Sequence, residues 1–196
     1  MSLNCFRRRN GRQPEAALIN TMISIQHTPI LVTGAAGFIG HAVAHRLLAR
    51  GERVIGVDIV NDYYDPALKE ARLATFAGIN SFAFERLDIA DADKMKALVC
   101  DNNIVRVVHL AAQAGVRYSL ENPFAYERSN LAGHLSVMEA CRHAEGFEHL
   151  VYASSSSVYG DKPIGGAGFK EDEPANDPVS LYAATKRACE LMSQSY

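Results

Sequence analysis

The sequence predicts an α/β chain, a doubly wound parallel sheet with helices on both faces. Three observations lead there. From Pro29 onward, short apolar runs alternate with segments of helical period, the pattern of repeated βαβ units. The chain has 196 residues, 48% of them hydrophobic, enough for one well-packed core and not for two. A glycine-rich turn joins the first apolar run to the first helix.

The elements follow in order. Pro29-Ile30-Leu31-Val32-Thr33 is the first strand, and residues 38–50 form a helix that stops at Gly51. Residues 53–58 are the second strand. A polar loop, 61–65, leads through Pro66 into a helix reaching about Phe76. Residues 81–87 alternate as a strand, 91–100 are helical, and 104–110 form a buried strand. Asn122-Pro123 reads as an N-cap followed by proline at the first helical position, opening one helix to about His143. Residues 149–154 are the fifth strand, 160–178 a loop rich in Gly, Pro and charge, and 179–196 a final helix. Strands separated by helices require parallel pairing through crossovers.

Composition removes several function classes. With 20 Lys+Arg against 22 Asp+Glu, the formal charge of -2 excludes a basic nucleic-acid binder. No stretch approaches the ~18 uninterrupted apolar residues of a membrane span; residues 104–116 come nearest and are broken by Arg106, His109 and Gln113. Cys5, Cys100, Cys141 and Cys189 stand far apart without a CxxC pair, as in thiols of a reducing, cytoplasmic compartment. Residues 1–28 are set aside as an extension outside the fold, and the domain is taken as 29–196. The first 21 residues carry Arg7, Arg8, Arg9 and Arg12 against Glu15 without the apolar core of a secretory signal. They read as a disordered extension, a tag remnant or a misassigned start, with Met22 as an alternative first residue.

Thr33-Gly34-Ala35-Ala36-Gly37-Phe38-Ile39-Gly40 lies where strand one turns into helix one. Glycines there allow a tight turn, close approach of backbone to a pyrophosphate, and close packing of helix on strand. The helix N-terminus then offers free amides and a positive dipole end to phosphates. The spacing is GxxGxxG rather than GxGxxG. Asp58, at the end of strand two and 24 residues after Gly34, supplies the carboxylate that binds both ribose hydroxyls of NAD and repels the extra phosphate of NADP. Loop, context and acid together predict a Rossmann-type dinucleotide site.

Strand five ends in Ser154-Ser155-Ser156-Ser157, followed by Val158-Tyr159-Gly160. Tyr182 and Lys186, four apart, share a face of the last helix. A lysine ammonium beside a phenol favours the phenolate. That phenolate removes a hydroxyl proton while hydride leaves the same carbon for NAD. The unassigned alternative is an ordinary helix with a solvated lysine and a core tyrosine. His41 and His45 have zinc-pair spacing but no third ligand and read as surface histidines, so no metal is expected. Ser155 lacks the GxSxG turn of a nucleophilic triad.

Residues 33–40, Asp58, Asp88-Ile89, His109-Leu110-Ala111-Ala112-Gln113, Ser154 to Gly160 and Tyr182 to Lys186 occur in the order of the extended short-chain dehydrogenase/reductases, which the chain resembles from about residue 29 to its last residue. The resemblance implies that Gly34, Gly37, Phe38, Ile39, Gly40 and Asp58 bind NAD. Asp88 and Ile89 would flank the adenine, Leu110, Ala111, Ala112 and Gln113 would line the cofactor, and Asn130 would lie nearby. It implies Tyr182 as catalytic base, Lys186 as its tuner and ribose ligand, and Ser155 as hydroxyl partner; Ser155 follows by counting back from Val158-Tyr159-Gly160, with Ser154 as the structural alternative.

Asn61-Asp62-Tyr63-Tyr64-Asp65, residues 112–123 and the four-serine run look like the UDP-glucuronate 4-epimerases of that family. Nucleotide-sugar 4,6-dehydratases carry an Asp-Glu pair where Ser156 and Ser157 stand, and serine cannot replace that acid/base near neutral pH. The resemblance implies a UDP-sugar substrate, UDP-glucuronate converted to UDP-galacturonate through a 4-keto sugar, with Ser155, Ser156, Ser157 and Arg117 contacting it. Another epimerase of the same family, or an NAD-binding fragment without turnover, remains open. The family continues well past its catalytic lysine and dimerises through a four-helix bundle. A chain stopping at Tyr196 is therefore expected to lack the last strands and the substrate domain, and the homodimer is not carried over to it.

Overall fold

The computed structural model describes residues 28–161 and 168–196. The predicted extension up to residue 27, and residues 162–167 of the predicted loop, lie outside them. Five strands, β1 (Ile30–Thr33), β2 (Val54–Asp58), β3 (Phe82–Arg86), β4 (Arg106–His109) and β5 (His149–Tyr152), form one sheet in the order β3-β2-β1-β4-β5. Every pair is parallel. Strand order reverses between β1 and β4, so the loops after β1, β2 and β4 meet at the carboxyl edge of a doubly wound sheet, where ligands bind in this architecture.

β1 and β2 are buried along their whole length, which accounts for their nearly continuous apolar sequence. Because successive side chains point to opposite faces, Ile30 and Val32 enter one core with Ala44, Val54 and Phe76. Leu31 enters the other, with Ile55, Val57, Met95, Leu98, Val107, Val137 and Cys141. Helix α1 (Phe38–Ala49) and helix α2 (Pro66–Ala74) belong to the first side, helix α3 (Ala92–Asp101) to the second.

Helix boundaries follow side-chain caps. Asp65 accepts from Ala67 N (2.9 Å), Asp91 from Lys94 N (3.2 Å) and Ser180 from Ala183 N (3.0 Å), each using an amide the helix leaves without an acceptor. Ser180 therefore opens helix α7 (Leu181–Ser195), two residues later than predicted.

The helix predicted from Asn122 to His143 is not uniform. Asn122 does cap it, accepting from Ala125 N. A short helix α4 (Tyr118–Glu121) precedes, and α5 (Pro123–Tyr126) passes through a π-helical segment, Glu127–Ala132, into α6 (Gly133–His143). Helical period alone does not reveal such a segment.

Candidate active site

The turn after β1 forms the floor of the cleft. Gly34 N and Ala35 N donate to Val57 O at 2.7 and 3.1 Å, and Gly34 has φ +72°. A Cβ there would lie within 3.0 Å of Ala111 N, and one at Gly40 would lie 2.0 Å from Gly34 O. All of these neighbours are backbone atoms that cannot move aside. Gly37 precedes α1 without a capping side chain, so the first-turn amides remain available to an anion. Phe38 and Ile39 are exposed at that helix start. A side chain at position 34 or 40 would clash with the backbone that shapes the turn, and the turn that glycine permits leaves free amides suited to a pyrophosphate.

Asp58 closes one end of the cleft. Its Oδ2 accepts from Ala36 N (3.2 Å) and its Oδ1 from Val60 N (2.8 Å). Those bonds fix the carboxylate while leaving lone pairs for ribose hydroxyls. Lys69, buried beside it, stands 3.8 Å from Asp58 Oδ1 and donates to Asn61 Oδ1 at 2.8 Å. The sequence reading missed Lys69. Its signal was a lysine in the first turn of α2, where the helix dipole disfavours a cation. Asp88 and Ile89 also line the cleft. Asp88 is paired with Arg128, whose Nε and Nη2 reach Asp88 Oδ2 at 2.8 and 2.7 Å. Arg128 and Ser129, from the π segment, line the cleft too and were not anticipated.

The loop after β4 brings Leu110, Ala111, Ala112 and Gln113 into the cleft, held from behind by two side chains. Asn130 is buried; its Oδ1 accepts from Gln113 N (2.8 Å), and its Nδ2 donates to Gln113 O (3.1 Å) and Thr185 Oγ1 (3.0 Å). Both amide protons are thereby used, so Asn130 bears on the cleft through Gln113. Thr33 Oγ1 accepts from Leu110 N and Ala111 N, each at 3.1 Å, and lies 2.7 Å from His109 Nδ1. With both lone pairs occupied, the threonine proton goes to Nδ1, which makes His109 the Nε2–H tautomer. Burial first, then His134 and Lys186, lowers His109 to about 3. His134, stacked on it at 5.3 Å, is lowered to about 4 by burial and then Lys186.

The serine run leaves the sheet after β5. Lys186 Nζ donates to Ala153 O at 2.8 Å, which places the Tyr182/Lys186 face of α7 against that run. Burial lowers the Lys186 pKa. Ser154 donates to Glu190 Oε1, whereas Ser155 caps the short 3₁₀ turn Ser156–Tyr159. Ser155 Oγ accepts from Ser157 N (3.3 Å) and Ser157 Oγ (2.9 Å), so its own proton is directed elsewhere. Ser156 is exposed. Arg117 is exposed where α4 begins and is not among the residues that line the cleft. His41 and His45 both bind Thr75 Oγ1, at 2.9 and 2.8 Å; among the described residues no cluster of His, Cys, Asp or Glu suits a metal. No described helix is long and apolar enough to cross a membrane.

Residues 30–196 match the profile of the NAD dependent epimerase/dehydratase family. UDP-glucuronate 4-epimerase 3 of Arabidopsis thaliana is 47% identical over 167 residues, covering 85% of this chain and 38% of that protein. Among solved structures, UDP-glucuronic acid 4-epimerase from Bacillus cereus, in complex with UDP-glucuronic acid and NAD, superposes with a TM-score of 0.77 at 34% identity, covering 86% of this chain and 52% of that one. The UDP-glucose 4-epimerase of Thermus thermophilus, complexed with NAD, gives 0.73 at 35% identity, covering 86% and 50%. The chain spans about half the length of the curated relatives it matches, or less.

Proposed function

This chain belongs to the NAD dependent epimerase/dehydratase family, and from that premise we propose that it supplies the cofactor-binding and catalytic half of a nucleotide-sugar 4-epimerase, with UDP-glucuronate and UDP-galacturonate as its substrate pair. One observation carries the reading. The Lys186–Ala153 hydrogen bond sets the Tyr182 face of α7 against a serine run that contains no carboxylate, at the carboxyl edge of the sheet.

The glycine turn and α1 would hold the pyrophosphate of NAD, Asp58 the adenosine ribose, and Lys186 the second ribose. When bound, NAD supplies a reversible hydride acceptor. Tyr182 takes the proton of the sugar 4-hydroxyl and later returns it. Ser155 donates its free proton to the same oxygen, steadying it as hydroxyl and as ketone. Ser156 and Ser157 offer hydroxyl donors suited to a sugar carboxylate and add no negative charge to repel it. Elimination would require a further acid in the run, and serine is too weak an acid for that role. The chemistry therefore ends in inversion at C4.

The full-length gene product, loaded with NAD, is expected to interconvert UDP-glucuronate and UDP-galacturonate, followed by chromatography. Tyr182→Phe is expected to lower that rate by about 10²- to 10⁴-fold, the scale of a lost proton transfer, with NAD still bound. An NAD-loaded protein that leaves UDP-glucuronate unchanged refutes the substrate. The similarity to a UDP-glucose 4-epimerase supports a second reading, a neutral UDP-hexose, which a panel of UDP-hexoses and UDP-uronates separates from the first.

A further inference from the structure

We infer that Tyr63, seated against Gly115 and packed against the ring of Tyr118, is a clasp across the dinucleotide cleft that slows the entry and exit of the cofactor together. The inference rests on the NAD reading of this cleft.

The topology sets the span. β2 and β4 flank β1, and neighbouring strands stand about 4.8 Å apart. Their carboxyl-end loops therefore face each other over the glycine turn, at roughly twice that distance. Tyr63 lies in the loop after β2 and lines the cleft. Its ring meets that of Tyr118, on the far side, with centroids 4.6 Å apart and planes at 42°. Tyr64 packs edge-on behind it at 4.5 Å.

Position 115 is shaped to receive the phenol. Gly115 has φ +93°, and a Cβ there would lie 2.5 Å from Tyr63 Oη. Glycine is thus needed both for the backbone conformation and for the space. The receiving side is anchored: the fully buried Tyr126 donates to Ala114 O at 2.8 Å and also bonds Gly115 O. The ring of Tyr126 in turn stands edge-on to Tyr182 at 6.2 Å. The Tyr63 side is looser, since Tyr64 is exposed. Burial pushes the Tyr63 phenol up to about 12, so the contact stays neutral throughout the physiological range.

The chemistry explains why such a clasp is useful. An epimerase gives its hydride back to the sugar it took it from. A reduced cofactor that leaves in mid-cycle strands a ketone and an enzyme that must be reloaded. A barrier on both entry and exit suits a group that is kept over many turnovers.

The test uses the full-length gene product and NADH as a fluorescent probe, with stopped-flow measurement of association and dissociation. Tyr63→Ala is expected to raise both rates about tenfold, the scale of a lost aromatic pair, while Kd changes less than about threefold. Gly115→Ala should act in the same direction by displacing the phenol, and Tyr118→Ala by removing the ring that Tyr63 packs against. Tyr63→Phe, which keeps the ring, should stay within about threefold of the parent. Unchanged rates in Tyr63→Ala overturn the clasp, and so does a rise in dissociation alone, which marks an ordinary contact. If Tyr63→Ala accelerates both rates in a protein that epimerises no UDP-sugar, the clasp stands and the epimerase reading falls. If epimerisation is intact and the rates are unchanged, the reverse holds. A parent protein that binds no NADH overturns both.

Discussion

Thr33→Val tests how the floor of the cleft is held. Valine matches threonine in shape and removes only the hydroxyl, which serves three partners: Leu110 N, Ala111 N and His109 Nδ1. Leu110 N keeps a second acceptor in Thr33 O at 3.3 Å. Ala111 N is left without an acceptor and His109 Nδ1 without a donor, in a region where Thr33 is wholly buried. An orphaned buried donor or acceptor costs about 1–3 kcal/mol, so two cost roughly 2–6 kcal/mol. Exchanging the hydroxyl for a methyl returns about 1 kcal/mol of burial, for a net loss of about 1–5 kcal/mol. Urea unfolding followed by circular dichroism measures the loss. Thr33→Ser keeps the hydroxyl and should lose only about 1 kcal/mol, the scale of one buried methyl group. Pairing Thr33→Val with His109→Leu removes one of the orphans, so the double variant should lose less than the two single losses added together. A Thr33→Val protein within about 0.5 kcal/mol of the parent would refute this hydrogen-bond accounting.

Other expectations concern charge. Lys186→Met removes a cation that depresses both buried histidines; His134 should then titrate above about 4, read from its imidazole proton shifts, and dinucleotide affinity should fall at least tenfold through the lost ribose contact. Both histidines have folded values below the ordinary 6.5, so between those values the unfolded chain binds more protons. Stability therefore holds above about pH 7 and drops by roughly 2 kcal/mol between pH 6.5 and 5.5, and His109→Leu should remove about half of that drop in urea titrations. Asp58→Ala should weaken NAD binding about tenfold or more while narrowing the preference over NADP, as measured by calorimetry.

The parts of the fold that were legible in the sequence are those written in local chemistry. β1 and β2 show as apolar runs because they are buried, and Asn122 marks a helix start because a cap is local. The glycine turn, Asp58, the serine run and Tyr182/Lys186 stood out because their spacing is a property of one turn or one helix. What stayed hidden is tertiary. Lys69 matters because α2 folds back onto the end of β2, and Tyr63 because the sheet brings two loops to opposite sides of the glycine turn. Arg128 reaches Asp88 from forty residues away along the chain. Asn130 was placed near the site from family likeness, but its partners Gln113 and Thr185 lie on other elements.

The π segment between α5 and α6 has a consequence for how this region tolerates insertions and deletions. Ala125, Arg128 and Ser129 face the cleft, whereas Val137, Ala140 and Cys141 face the core. The π segment, Glu127–Ala132, joins the part that faces the cleft to the part that faces the core. Shortening 127–132 by a single residue would turn everything after it by about 100°, swinging Val137 out of the core while the cleft stayed in place. Length here is therefore locked as tightly as identity: Arg128 and Asn130 are held by their own partners between Glu127 and Ala132, and the core beyond them fixes how many residues stand there.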